Sequence, residues 1–345
     1  MASRTPALLP AASSNMYSST ALAEEVRRVA GARRVVLSEQ LQALWDGYGQ
    51  LWRGVLERSD GSERRIVVKH VSPPKSSGKD AAGQRARKRK LRSYDVEAAF
   101  YAEYAASCRS RCRLPELECA RSGSQEKLLV LEDLDFAGFA QRRRRAAAGD
   151  VELCLRWLAA FHATFLGVSA EPLWKVGTYW HLATRPDELL AMRDEEVRRA
   201  APIIDEKLRR AEFTTLVHGD AKLENFCFSN DASSVAALDF QYVGGGVGVK
   251  DVAYLLSSCF EGRELEVLAP GLLDYYFKAL DAELSTRLEE GARRALESEW
   301  RRLYPYAWAD LQRFLLGWAP EYARDAYALG RTREVLSELG NSREK

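Results

Sequence analysis

The densest group of chemically capable side chains in this 345-residue chain is the run Val217-His218-Gly219-Asp220-Ala221-Lys222-Leu223-Glu224-Asn225, followed shortly by Leu238-Asp239-Phe240-Gln241. It supplies a carboxylate, a lysine and an amide in one short segment, and a second carboxylate just beyond it. Phosphoryl transfer from Mg-ATP draws on such a set. A carboxylate accepts or orients the acceptor's hydroxyl proton, a cation sits near the moving phosphoryl group, and an amide and a second carboxylate hold magnesium. Asp220 is therefore the candidate base and Lys222 the candidate neutralising group. Asn225 and Asp239 are the candidate magnesium ligands, through oxygen atoms that suit this hard cation. His218 reads as a residue that holds the loop by hydrogen bonds, and Glu224 as solvent-facing. The competing explanation is a strand hairpin with incidental polar residues.

The spacing matches the protein-kinase pair H-R-D-L-x-x-x-N and D-F-G, with Gly219 in place of the arginine and Gln241 in place of the glycine. Further parts of a nucleotide site precede it in the same order. Ile66-Val67-Val68-Lys69 occupies the place of a strand whose lysine binds the α- and β-phosphates, and Glu97 on the next helix is placed to pair with it. Glu103 is the rival on that helix. Asp46-Gly47-Tyr48-Gly49 falls where a phosphate-covering loop belongs; Gly47 and Gly49 would let backbone N–H groups approach phosphates, although an ordinary hairpin turn uses the same residues. Val130-Leu131-Glu132-Asp133-Leu134 lies where two lobes would join, so backbone groups at Glu132 and Leu134 are candidates for adenine contact. After Asp239 there is little room for a peptide-docking platform: Tyr242 to Gly248 is a compact glycine-rich turn, and Asp251 already starts a helix, either as its cap or by bonding back to the loop. This favours a small hydroxylated acceptor over a protein.

The elements that must position these groups follow from pattern. A helix is expected over Ala21–Ala30 with Thr20 as its cap, then strands at Ser38–Trp45, Leu51–Glu57 and Arg65–Val71 in antiparallel order. Lys75–Arg89 reads as an exposed mobile loop, Tyr94–Ala106 as a helix and Lys127–Leu131 as a strand. Beyond Phe136 the pattern is helical: Val151–Leu166, Asp187–Arg210, then, after the catalytic hairpin Leu216–Phe240, Asp251–Phe260, Gly271–Leu280, Leu284–Ala295 and Tyr306–Leu316. The expected organisation is an α+β, two-lobed protein-kinase-like fold: a tail or targeting segment over 1–20, a nucleotide-binding lobe with a small antiparallel sheet over 21–132, and a mainly helical catalytic and substrate lobe over 133–345.

A hydrophobic fraction of 46% suffices for ordinary cores, and a net charge of +2 gives no reason to expect a nucleic-acid partner. The basic clusters Arg85–Arg92 and Arg142–Arg145 read as solvated charge, with a nuclear address or long-range attraction of a polyanionic substrate such as ATP as the alternatives. No run of about 18 apolar residues suggests a membrane span. The six cysteines form no C-x-x-C, which points to reduced packing residues in an intracellular, cytoplasmic protein.

The segments LVHGDAKLENFCF, ALDFQYVGGGVGVKDVAYLL, RKLRSYDVEAAFY and LYPYAWADLQRFLLGWAP resemble the aminoglycoside phosphotransferase/choline kinase superfamily, and within it the ecdysteroid-kinase-like small-molecule kinases. The resemblance runs from about Ala21 to the C-terminus. It implies ATP and Mg2+ dependence, with the family's catalytic Asp, metal Asn and metal Asp at Asp220, Asn225 and Asp239. It also implies a small-molecule alcohol as acceptor. A catalytically inactive nucleotide-binding scaffold and a protein kinase are the alternatives. Aromatics of the C-terminal lobe, among them Trp174, Tyr179, Trp180, Trp308, Trp318 and Tyr322, serve as packing core, a cation cage or a sterol pocket. Asp310 and Glu321 are candidate cation-binding acids.

Overall fold

The structure is a computed structural model and describes residues 18–44, 47–74, 80–108, 111–123 and 126–341. The first 17 residues of the expected tail, Trp45, Asp46 and residues 75–79 of the expected loop lie outside the described residues. The chain divides into two compact units. The first runs to Arg87 and includes Glu116–Asp133; the second is Lys88–Pro115 with Leu134–Lys345.

In the first unit, α1 (Ser19–Ala30) starts two residues earlier than its apolar pattern suggests, because Ser18 rather than Thr20 caps it: its Oγ accepts from Ala21 N–H at 3.2 Å. Strands β1 (Arg34–Ala43), β2 (Gly49–Glu57), β3 (Glu63–Val71), β4 (Leu117–Ser122) and β5 (Lys127–Glu132) form one sheet in the order β1-β2-β3-β5-β4. All its pairings are antiparallel. Leu22 and Val26 of α1 pack on Leu56, Ile66, Val68, Leu128 and Val130, closing one face of the sheet. Strand alternation places Lys69 on the opposite face from Ile66 and Val68, in register with Leu51 and Leu129. The short strand β4 was not apparent from its sequence, where apolar and polar residues scarcely alternate.

The expected mobile loop is, from Ala81 onward, the helix α2 (Ala81–Ala99). Asp80 Oδ1 accepts from Gly83 N–H at 2.7 Å and starts it. Three of its basic side chains are held within the second unit. Arg89 donates to Thr184 O, Arg92 to Pro172 and Leu173 O, and Lys90 to Gln241 Oε1. The helix continues through a π turn at Phe100–Tyr104 and a 3-10 turn at Ala105–Cys108.

The second unit is mainly helical: α3 (Ala148–Thr164), α4 (Pro186–Ala191), α5 (Glu195–Arg209), α6 (Val249–Cys259), α7 (Gly262–Leu284), α8 (Glu290–Trp318) and α9 (Ala326–Asn341). The single helix expected over Asp187–Arg210 is broken, because Asp194 caps a new helix by accepting from Val197 N–H at 3.0 Å. The break expected before Tyr306 is absent. Helix α8 runs through Pro305, whose cost of ~3 kcal/mol is offset by the burial of Trp300, Leu303, Tyr304, Tyr306 and Trp308 around it. Two short sheets carry the loops of interest: β6 (Thr215–Val217) pairs with β9 (Gly244–Gly246), and β7 (Phe226–Phe228) with β8 (Val235–Ala237). Among the described residues no helix is long and apolar enough to cross a membrane. The α+β class and the pairing of a small antiparallel sheet with a larger helical part agree with the protein-kinase-like expectation.

Candidate active site

Strand β6 delivers the chain into His218-Gly219-Asp220, and this turn is held from beneath. Asp251, wholly buried in the first turn of α6, accepts from His218 N–H at 2.6 Å and Gly219 N–H at 2.9 Å. Its Oδ2 also lies 3.1 Å from His162 Nε2, and His162 Nδ1 is 2.8 Å from the Tyr276 hydroxyl. Of the two roles open to Asp251, the structure therefore shows the bond back to the loop; the residue before α6, Gly248, makes no side-chain cap. Burial pushes the His218 imidazole down in pKa. Its Nε2 donates to Leu238 O at 2.9 Å and its Nδ1 accepts from Asp220 N–H at 3.3 Å. This is the loop-holding role expected of it.

Gly219, in place of the kinase arginine, is dictated by close approach. Its φ is +80°, and a Cβ there would stand 2.1 Å from Tyr242 O and 2.7 Å from Thr178 N. The segment Trp174–Tyr179 crosses at this point, with Tyr179 N–H donating to Gly219 O and Thr178 N–H to Tyr242 O.

Asp220 is 8% exposed. The Asn225 amide Nδ2 donates to Asp220 O at 2.7 Å and to its Oδ2 at 3.1 Å, and Lys222 Nζ lies 3.9 Å from Oδ2. Burial pushes the Asp220 carboxyl up to about 7; Lys222 opposes this, Asp239 adds to it, and hydrogen bonds from Asn225 and Tyr254 oppose it. Asp239 has a left-handed φ of +65°, uncommon for a residue with a side chain. Asp220, Asn225 and Lys222 are thus gathered around one carboxylate, with the charge of Asp239 felt there. Because both donor contacts of Asn225 use Nδ2, its Oδ1 is the atom turned elsewhere as an acceptor. Asn225 and Asp239 offer hard oxygen donors, and magnesium usually keeps several waters and substrate phosphates besides one or two protein ligands. The residues present fit that ion.

The remaining candidates divide between the units. Lys69 is 8% exposed on β3. Glu97 on α2 is buried, whereas its rival Glu103 is exposed. Burial pushes the Tyr101 hydroxyl up in pKa, and the charges of Glu97 and Asp239 add to this. At the β1–β2 turn, Gly49 has a local reason to be glycine: a Cβ would lie 2.0 Å from His70 O. Space is open around the Cβ position of Gly47, and Tyr48 between them is wholly buried, its hydroxyl taking a bond from Arg87. Glu132 N–H donates to Glu116 O, and its carboxylate accepts from Glu116 N–H at 3.1 Å. Leu134 is core, packed with Cys227 and Ala236, and its carbonyl accepts from Phe139.

Tyr254 was not anticipated, yet its hydroxyl bonds toward Asp220 and Tyr179. A signal exists: it lies three residues after Asp251, on the same face of α6. Tyr179, Tyr254 and Lys222 line a cavity of about 920 Å3 that extends past Leu265, Leu311, Leu315 and Trp308 to Trp318 and Tyr322. The last two are 53% and 66% exposed, whereas Trp180, Trp300 and Tyr306 are core. Asp310 is not available to a substrate cation. It is buried and bonded to Trp180 Nε1, Lys250 Nζ and the Arg313 guanidinium. Glu321 lines the cavity. A second cavity, about 660 Å3 and lined by Lys175, Arg209 and Gly245, holds none of the candidate catalytic residues.

Residues 175–288 match the ecdysteroid kinase-like family. None of the curated proteins matches the sequence significantly. Among solved structures, a microcompartment-associated aminopropanol kinase is 12% identical with a TM-score of 0.47, covering 92% of this chain and 95% of its own. Aminoglycoside phosphotransferase APH(3'')-Id from Streptomyces rimosus, in complex with ADP and streptomycin, is 16% identical (TM-score 0.46; 84% and 99% covered). Choline kinase LicA from Streptococcus pneumoniae is 14% identical (TM-score 0.42; 93% and 98% covered). Over the segment that carries Asp220, Asn225 and Asp239, the chain therefore resembles the ecdysteroid kinase-like family.

Proposed function

We propose that this protein is an ATP- and Mg2+-dependent O-phosphotransferase acting on a small-molecule alcohol with a bulky apolar body. The observation that carries the reading is the Asp220 carboxylate, hydrogen-bonded to Asn225 with Lys222 beside it, next to an aromatic-walled cavity of about 920 Å3. A volume of that order suits a multi-ring molecule, and the ecdysteroid kinase-like match favours a steroid-like acceptor.

The acceptor lies along Leu311, Leu315 and Trp308 with its hydroxyl against Asp220. As the acceptor oxygen bonds to the γ-phosphorus of ATP, the bond to the ADP oxygen breaks and the hydroxyl proton passes to Asp220. Lys222 offsets charge on the transferring group. Lys69 and Glu97 serve nucleotide positioning in this reading, and Gly47, Gly49, Glu132 and Leu134 are the proposed surroundings of phosphates and adenine. Asn225 and Asp239 would hold magnesium, which supplies neutralisation of the phosphate oxygens. Catalysis then comes mainly from positioning and fixed charge.

The test is Mg-ATP-dependent phosphate acceptance across steroid alcohols, choline, ethanolamine, sugars and aminoglycosides. Steroid-type alcohols should accept phosphate, and Asp220→Ala should lower turnover by about 10²–10⁴-fold while nucleotide still raises the melting temperature. Normal turnover in Asp220→Ala would refute the mechanism. Acceptance confined to choline or sugars would refute the acceptor class.

A further inference from the structure

Gln241 stands where protein kinases carry glycine, and its side chain is built into the second unit. It is 5% exposed. Its Oε1 accepts from Lys90 Nζ at 2.8 Å, and Ser93 Oγ lies 3.1 Å away; both partners are on α2. Its backbone carbonyl accepts from Trp174 Nε1 at 2.8 Å. The flanking residues are fixed as well. Phe240 stacks on Phe100 with centroids 4.2 Å apart and planes at 14°, and Tyr242 stacks on Trp174 at 6.2 Å and 10°. Asp239, in its left-handed conformation, is the residue these anchors deliver. Such a conformation persists only where its surroundings over-determine it.

We propose that Gln241, through Lys90 and Ser93, is a positioning residue that holds Asp239 in a single magnesium-binding posture. The proposal rests on reading Asp239 as a magnesium ligand. A side chain that merely filled space would be replaceable by an apolar one of similar size. A buried acceptor bonded to a lysine is not, because removing it takes away a hydrogen bond to a charged group. Partners that orient a metal ligand typically change metal affinity or activity by about 10–100-fold when lost.

The experiment compares wild type, Gln241→Leu, Gln241→Glu, Lys90→Met and Lys90→Met/Gln241→Leu. Three quantities are read: the Mg2+ concentration for half-maximal turnover, that for half-maximal ADP-dependent thermal shift, and amide hydrogen exchange of residues 239–243 without ligands. Gln241→Leu and Lys90→Met should each raise both Mg2+ midpoints by about 10-fold or more and speed exchange. The double variant should be little worse than either single one, and Gln241→Glu, which still accepts from Lys90, should stay near wild type. Ser93→Ala gives the same reading, at smaller size, if Gln241→Leu does not fold. Unchanged Mg2+ midpoints, additive losses in the double variant, or a Gln241→Glu as impaired as Gln241→Leu would each overturn the proposal. A wild type whose ADP-dependent shift ignores Mg2+ would instead remove the magnesium reading, and this proposal with it.

Discussion

Replacing Asp251 by asparagine separates two roles that its position in the chain leaves open. As a helix cap, asparagine is as good as aspartate, and stability would hardly move. In the structure, however, the carboxylate receives His218 N–H and Gly219 N–H on different oxygens, with His162 Nε2 on the first. An amide has one acceptor oxygen. Keeping it toward His218 and His162 turns the NH2 onto Gly219 N–H, donor against donor. One charge-assisted bond is lost, worth about 1.5–3 kcal/mol, and a buried N–H is left unsatisfied at about 1–3 kcal/mol. The expected loss is about 3–5 kcal/mol against a total of the order of 5–15 kcal/mol, so the protein should fold and remain measurable. Because Gly219 leads directly into Asp220, turnover should fall by about 10²-fold, the scale of a 1 Å misplacement. Urea unfolding followed by circular dichroism gives the first quantity and steady-state kinetics the second. A loss below about 1 kcal/mol with unchanged turnover would show that Asp251 is not the anchor of the loop, whatever the distances.

Gly219→Ala should destabilise by about 1–3 kcal/mol or more from left-handed strain and the clash with Tyr242 O, read as a lower melting temperature. Gly271→Ala, in α7 with open space around its Cβ position, should instead stabilise by about 0.5–1 kcal/mol. Since burial, with help from Asp239, pushes the Asp220 carboxyl up to about 7, and the acceptor proton needs the ionised form, turnover should rise with pH through about 7; a flat profile between about pH 6 and 8 would contradict the base role. Burial alone would raise the Asp310 carboxyl, but Lys250 and Arg313 hold it well below the usual carboxylate range. Its stabilisation is therefore full above the unfolded pKa near 4 and lost as pH falls through the folded value. Asp310→Asn should cost about 3–5 kcal/mol at neutral pH and blunt the loss of stability on acidification seen in wild type by chemical unfolding.

The clustering around Asp220 was legible because the residues are nearly consecutive: Asp220, Lys222 and Asn225 meet across one turn, and their sequence spacing already brings them close. The strands were legible where apolar residues alternate, as in β2 and β3. What escaped depends on partners remote in sequence. The basic stretch before Arg89 resembles a loop by composition; its helix is capped by Asp80 and runs on into Arg89, Lys90 and Arg92, whose acceptors Thr184 O, Gln241 Oε1 and Pro172 O are remote in sequence. Pro305 argues locally for a break that buried tryptophans and tyrosines override. Tyr254 carries no mark of its own until α6 turns it toward Asp220, and Asp310 looks like a free acid until Lys250 and Arg313 surround it.

The stretch from Phe240 to Val247 also bears on where the chain could be covalently modified. Every residue from Phe240 to Val243 is fixed by stacking or a hydrogen bond, and Tyr242, the one hydroxyl-bearing side chain in the stretch, is stacked on Trp174 with its pKa raised by burial. A modifying enzyme needs an extended, accessible peptide, and here it meets a packed turn with no surface loop to mark.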